Sequence, residues 1–383
     1  MTQKLTDAMF TGTLATSKLT GAMGNNDGSA LTGIGGDGAT DSANDPAINT
    51  NPSGGVGTLW ANHTSGELYV CTDATSNANV WTNVGGGSGD IEPYTFQGTV
   101  RGYTAGGQGG PGAQFNHIDY FSFTSDGNAT DAGDLSVGRA YPSGQSSETH
   151  GYSSGGYTPD SNVIDKFSFV AGDNATDVGD LTQVVSTASG QSSSTHGYST
   201  GGTTGPSITS RINKFPFASN ANATHVGDLI TGTQQAAGHS SETHGYSSGG
   251  ENPSKQNTIE KFSFAISSGN ATDHGDLTLA RNGLGGHSST THGFSAGGYS
   301  GSYTSRIDKF AFTSNTTATD FGDLTTTNRA GNAGHSGTTH GYTAGGNGPY
   351  TDVIDKYSYA TGGNATDVGN LVVVRNGLAG TQY

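Results

Sequence analysis

The chain has 383 residues, 65 of them glycine, and carries a formal net charge of −16 with only 12% charged residues. That balance excludes nucleic acid and anionic membrane surfaces as general partners, because both require a basic footprint. One cysteine, Cys71, excludes an internal disulfide framework and any multi-cysteine zinc site. No run of about 18 apolar residues is present and the first residues lack a signal-peptide core, so assembly in a cytoplasm without membrane insertion is expected.

Residues 1–44 show neither helical nor strand periodicity. Their sparse apolar residues, among them Met9, Phe10, Leu14, Leu19, Leu31 and Ile34, suit docking on another protein better than forming a core. Residues 45–86 read as a small β-hairpin module: a strand over 57–61, the turn "HTSG", a strand over 67–72 and a last strand near Val80. Trp60, Tyr69 and Trp81 are expected to form its core. The string "GGGSGD" from Gly85 opens a glycine-rich tether, 87–95.

From residue 96 the chain repeats. "HGYSSGG" stands at His150 and His244, with close copies beginning at Arg101, His196, His292 and His340, so successive starts differ by 49, 46, 48, 48 and 48. Each copy is followed by a block such as "VIDKFSF", then one such as "NATDVGDL", then a small polar block such as "RNGLGGHSS". All are too short for helices and are bounded by Gly, Asn, Asp or Ser. Four short strands per period predict one antiparallel sheet per repeat, and such sheets bury both faces only by packing around an axis. The expected fold is therefore all-β, a six-bladed β-propeller over 96–383. The C-terminal "GLAGTQY" matches an innermost strand, so it should complete the blade that begins near Phe96 and close the ring.

The order "RNGLGGHSS … HGYSSGG … VIDKFSF … GDL", with a Gly-Gly doublet ending the second strand, resembles the kelch repeat across roughly residues 96–383. Kelch repeats usually carry a Trp in the fourth strand, and here both tryptophans, Trp60 and Trp81, precede the repeats. The N-terminal string "DGSALTGI" (Asp27–Ile34) is similar to stretches in bacteriophage tail-fibre proteins, and the hairpin module resembles small modules beside phage fibre domains.

Catalysis finds little support. A copper-radical oxidase of the galactose-oxidase type needs a propeller cysteine cross-linked to tyrosine, and Cys71 lies before the repeats. Sialidase boxes need tryptophans that the repeats lack. The polar residues obey the repeat, whereas one catalytic site needs one constellation that breaks it. His150, His196, His244, His292 and His340 hold the same place in five blades and read as structural. Gln145, Gln191, His239, His287 and His335 align in the innermost strand and are candidates to line the central channel. No metal or cofactor is expected. The "NAT" triplets read as Asx-turns between strands three and four. Loops after the doublet vary most, and Phe115, Tyr157, Tyr299, Tyr303 and Tyr350 in them are the candidate ligand-binding aromatics.

The implied protein is a non-enzymatic phage virion component, a tail fibre or appendage. It would contact other virion proteins through its N-terminal part, where copies would also associate, and a host cell-surface glycan or protein through the propeller. A capsid-decorating head fibre and a glycan-active propeller enzyme with a diverged site are the alternatives.

Overall fold

The computed structural model describes residues 39–84, 95–170, 172–326 and 329–383. The docking residues proposed between Met9 and Ile34, and the tether after Gly85, lie outside these. Two compact units divide the chain, residues 1–94 and 95–383.

In the first unit, strands Leu59–Asn62, Leu68–Asp73 and Val80–Asn83 form an antiparallel meander at the places expected. A further strand, Thr40–Ser42, lies ahead of residue 45 and pairs in parallel with Trp60–Asn62. Its "TDS" has no apolar alternation, which is why the pattern did not disclose it. Tyr69, Cys71 and Trp81 are fully buried, and Trp60 meets Trp81 edge-on at 5.8 Å. The aromatics are core.

The second unit is a closed ring of six four-stranded antiparallel sheets. Blade 1 takes its innermost strand, Ala379–Gln382, from the C-terminus, followed by Arg101–Ala105, His117–Ser122 and Thr130–Asp134. The register sets Ala379 against Ala105 and Gln382 against Gly102. The innermost strands of blades 2 to 6 are Ser143–Ser146, Ser189–Ser192, Ala237–Ser240, Gly285–Ser288 and Ala333–Ser336. The chain closes as the sequence predicts.

Small residues make the ring tight. Gly144, Gly190, Gly238, Gly286, Gly334 and Gly380 sit at one position of the innermost strand, each lying against the glycine of the preceding blade. A Cβ there would fall inside that neighbour's carbonyl oxygen, so only glycine lets the strands approach so closely. The doublets serve a similar end. Gly249 has φ +66°, and a Cβ on it would stand 2.7 Å from the Arg281 carbonyl of the next blade.

Between blades lie aromatic layers. Tyr246, for example, stacks on Phe312 of the next blade at 4.7 Å and donates its hydroxyl to the Phe312 carbonyl. Rings of the second-strand tyrosine and of the third-strand block thus fill the space between these neighbouring blades. The "NAT" asparagines are not self-contained Asx-turns. Asn174 and Asn222 accept from the backbone N–H of Asp134 and Asp180 in the preceding blade, each at 3.0 Å, and so clasp outer strands together.

Candidate functional site

The five Gln and His residues proposed for the channel do not face it. They alternate with the axial glycines, so the pleat turns them into the blade interfaces. All five are 0–1% exposed. Gln145 donates to the Tyr198 carbonyl of the next blade, Gln191 to Tyr246, His287 to Tyr342 and His335 to Tyr103, at 2.9–3.0 Å. His239 instead meets the Ser248 and Ser295 hydroxyls. Burial pushes His239 and His335 down to about 4 and His287 to about 3. These rings are neutral bridges between blades, with nitrogens turned to hydroxyl and carbonyl oxygens.

A second polar layer was not anticipated. Arg139, Arg281, Arg329 and Arg375 are completely buried and pair with Asp165, Asp308, Asp355 and Asp119 at 2.6–3.0 Å. Each Asp also receives hydrogen bonds from the loop leaving the preceding blade, as Asp308 does from Thr278. In the two remaining blades both partners change together. Val185 accompanies Asn213, and Thr233 accompanies Glu260. Without an arginine, Glu260 is held by the backbone N–H groups of Ile230 and Thr231, and burial raises its pKa. That paired change is visible in the sequence once the repeats are aligned.

The ring has two unlike ends. At the end where the innermost strands finish, residues 95–100 lie across the axis. Gly98 donates to the Ser336 carbonyl, Gln97 to Ser288, and Gln382 to Phe96. The opposite end carries the loops after the second strand and those joining each outer strand to the next innermost strand. Of the exposed large apolar residues described in the propeller, only Val100 and Val170 lie elsewhere; Val137, Val184, Ile230, Leu279, Val372 and Val374 are all in these loops, with Tyr157, Tyr303 and Tyr350. At one end the chain's own incoming segment sits against the finishing ends of innermost strands; at the other the loops meet around the mouth.

At the open mouth, symmetry breaks. Six equivalent residues ring it, three of them glycines (Gly283, Gly331 and Gly377) at φ +62° to +69°. The other three are Tyr141, Thr187 and Gln235, at φ +54° to +58°. A side chain in the left-handed region costs about 1–2 kcal/mol, and such strain gathers at functional positions. Tyr141 leans over Gly377 and accepts from Asn376 at 3.1 Å and Gln108 at 3.2 Å.

Beside Tyr141 opens a cleft lined by Gln235, Asn282, Tyr299, Tyr303, Asn347 and Asn376. Tyr299 and Tyr303 meet edge to face at 5.1 Å, and Lys255 lies 5.0 Å over the Tyr299 ring. Tyr303 and Tyr350 both stand near enough to raise the pKa of the Tyr141 hydroxyl, after burial as the main cause. The backbone explains the gathering. The residue after each doublet pairs with the loop leading into its own blade, as Tyr299 does with Asn282 and Asn347 with Ala330, which draws these loops to the axis. Of the five proposed aromatics, Tyr299 and Tyr303 line the cleft and Tyr350 stands close by. Tyr157 is 51% exposed and pairs with Ala140 of the loop leading into its own blade; it does not line the cleft. Phe115 folds back onto His117, stacked at 5.6 Å. Tyr141 escaped notice because it belongs to the block nearest the axis rather than to a variable loop. Its signal is a tyrosine where three repeats have glycine.

No family model matches the chain, and no curated protein matches it. Among solved structures, the one described as "Structure of YjhT", a kelch-repeat propeller protein, superposes with a TM-score of 0.54 at 13% identity, covering 64% of this chain and 88% of that chain. The fold is a kelch-like β-propeller. At that identity the likeness speaks for the fold alone.

Proposed function

We propose that this chain is a non-enzymatic bacteriophage virion protein, a tail fibre or appendage, whose propeller recognises a glycan on the host surface. One observation carries the reading: an open aromatic and amide cleft sits on the face opposite the segment by which the chain enters the propeller. Residues 1–44 would join other virion proteins, in a particle assembled in the host cytoplasm, and the loop face would point outward. Tyrosine rings pack on the C–H faces of sugars while amides serve the hydroxyls. The side chains at the mouth that depart from the repeat, Tyr141, Thr187 and Gln235, are a phenol, a hydroxyl and an amide, which suits holding a ligand better than transforming it.

The test is retention without turnover. Purified protein mixed with bacterial surface polysaccharide should co-sediment with it and leave its chain length and oxidation state unchanged. Shortened or oxidised polysaccharide would support the glycan-active enzyme instead.

A further inference from the structure

The cleft narrows the ligand, on the premise that the propeller recognises glycans. Its tyrosine hydroxyls do not choose between ligands, because a phenol both donates and accepts. Its ring faces do choose, since an aromatic face carries partial negative charge and attracts cations. The chain already shows this at the cleft: Lys255 Nζ lies 5.0 Å over the Tyr299 ring, with Glu251 Oε1 3.6 Å away. That ion pair is longer than a hydrogen bond and both its side chains are part-exposed, so the ammonium is free to swing into solvent. Tyr303 stands at 62° to Tyr299 and, 37% exposed, forms the second wall of the same corner. Glu251 keeps its place without Lys255, because its Oε2 accepts from Asn282 at 2.6 Å. At long range a chain of net charge −16 draws cations and repels carboxylates.

We propose that this corner binds a positively charged amine borne by the glycan, which takes the place of Lys255 over Tyr299, against Tyr303 and beside Glu251. N-acetylated and acidic sugars lack that charge and are held less tightly. The Tyr299–Tyr303 pair and the Glu251–Lys255 pair each occur in one loop of the six, so each chain carries one such site.

The full chain should be titrated by calorimetry with a glucosamine oligosaccharide whose amines are free and protonated, and with the same oligosaccharide N-acetylated, which removes the charge. The free-amine form is expected to bind at least about tenfold more tightly. Tyr303→Ala should weaken it about three- to thirtyfold, the span of one cation–π contact, whereas Tyr303→Phe, which keeps the ring, should not. Lys255→Met should tighten it, and Lys356→Met, an equal change of charge at the pair with Asp126, should not. None of these three residues is buried, so the variants should melt as folded proteins. Equal or tighter binding of the acetylated form would overturn this assignment and leave glycan recognition standing. Free-amine binding unchanged in Tyr303→Ala, or tightened equally by both lysine variants, would mark attraction to the acidic surface alone and overturn it too. Binding to neither form also overturns it, and glycan recognition itself is then read from the co-sedimentation of surface polysaccharide.

Discussion

The backbone N–H of Gln382 donates to the Ser146 hydroxyl at 3.0 Å, joining residues 236 positions apart. It is one link of a ring. Ser146 donates in the same way to Ser192, Ser192 to Ser240, Ser240 to Ser288 and Ser288 to Ser336, each at 2.9–3.0 Å. Ser336 returns to the Gln382 side chain at 3.4 Å. Four links join serine to serine, and Gln382 of the C-terminal strand supplies the two that close the ring. Removing Ala379–Tyr383 should open this ring and leave the Arg101–Ala105 edge unpaired. The truncated protein is expected to aggregate or to lose cooperative unfolding in calorimetry. A melting profile like that of the intact chain would show that closure contributes little.

The buried ion pairs can be tested with substitutions the protein already contains. Arg281→Ala strands Asp308 without its cation, at a cost of about 3–5 kcal/mol. The double variant Arg281→Val with Asp308→Asn copies Val185 and Asn213 of blade 3. It should recover most of the loss in denaturant titrations. If the double variant is no better than the single one, the two positions do not act as a pair.

The buried histidines make stability fall on acidification. Their folded pKa values lie at about 3 to 4, below the ordinary 6.5, so the unfolded chain binds the extra protons between those limits. Stability is then fully present above about pH 6.5 and is lost progressively as the pH drops toward 4. Burial raises the carboxyls of Asp119, Asp355 and Glu260, which works in the opposite sense. Replacing His239, His287 and His335 with Gln, the residue that holds this position in blades 2 and 3, isolates the histidine contribution. The variant should show a flatter dependence of denaturation midpoint on pH between 4 and 6.5. An unchanged slope would mean that other groups govern it.

Much of this fold is legible in the sequence because a repeat states each strand six times. Blade number, closure and the role of the doublets all follow from aligned blocks. The alternation of strand residues does not reveal which side of an innermost strand meets the axis, and here the glycines take it, sending His239, His287 and His335 into the interfaces. The site was half legible. Tyr299 and Tyr303 stand in a variable loop, where recognition is commonly sought, but Tyr141 and Asn376 come from the axial block. What joins them is the pairing of loops across the mouth, and no one repeat contains it.

The central claim is that the propeller is displayed and the N-terminal part attaches. Phage particles assembled with residues 1–94 alone or with residues 95–383 alone, purified and measured by quantitative mass spectrometry, test it most directly. Residues 1–94 are expected in the particles at the stoichiometry of the full chain, with residues 95–383 left in the soluble fraction. Incorporation of the propeller alone, with the N-terminal fragment excluded, would contradict the account.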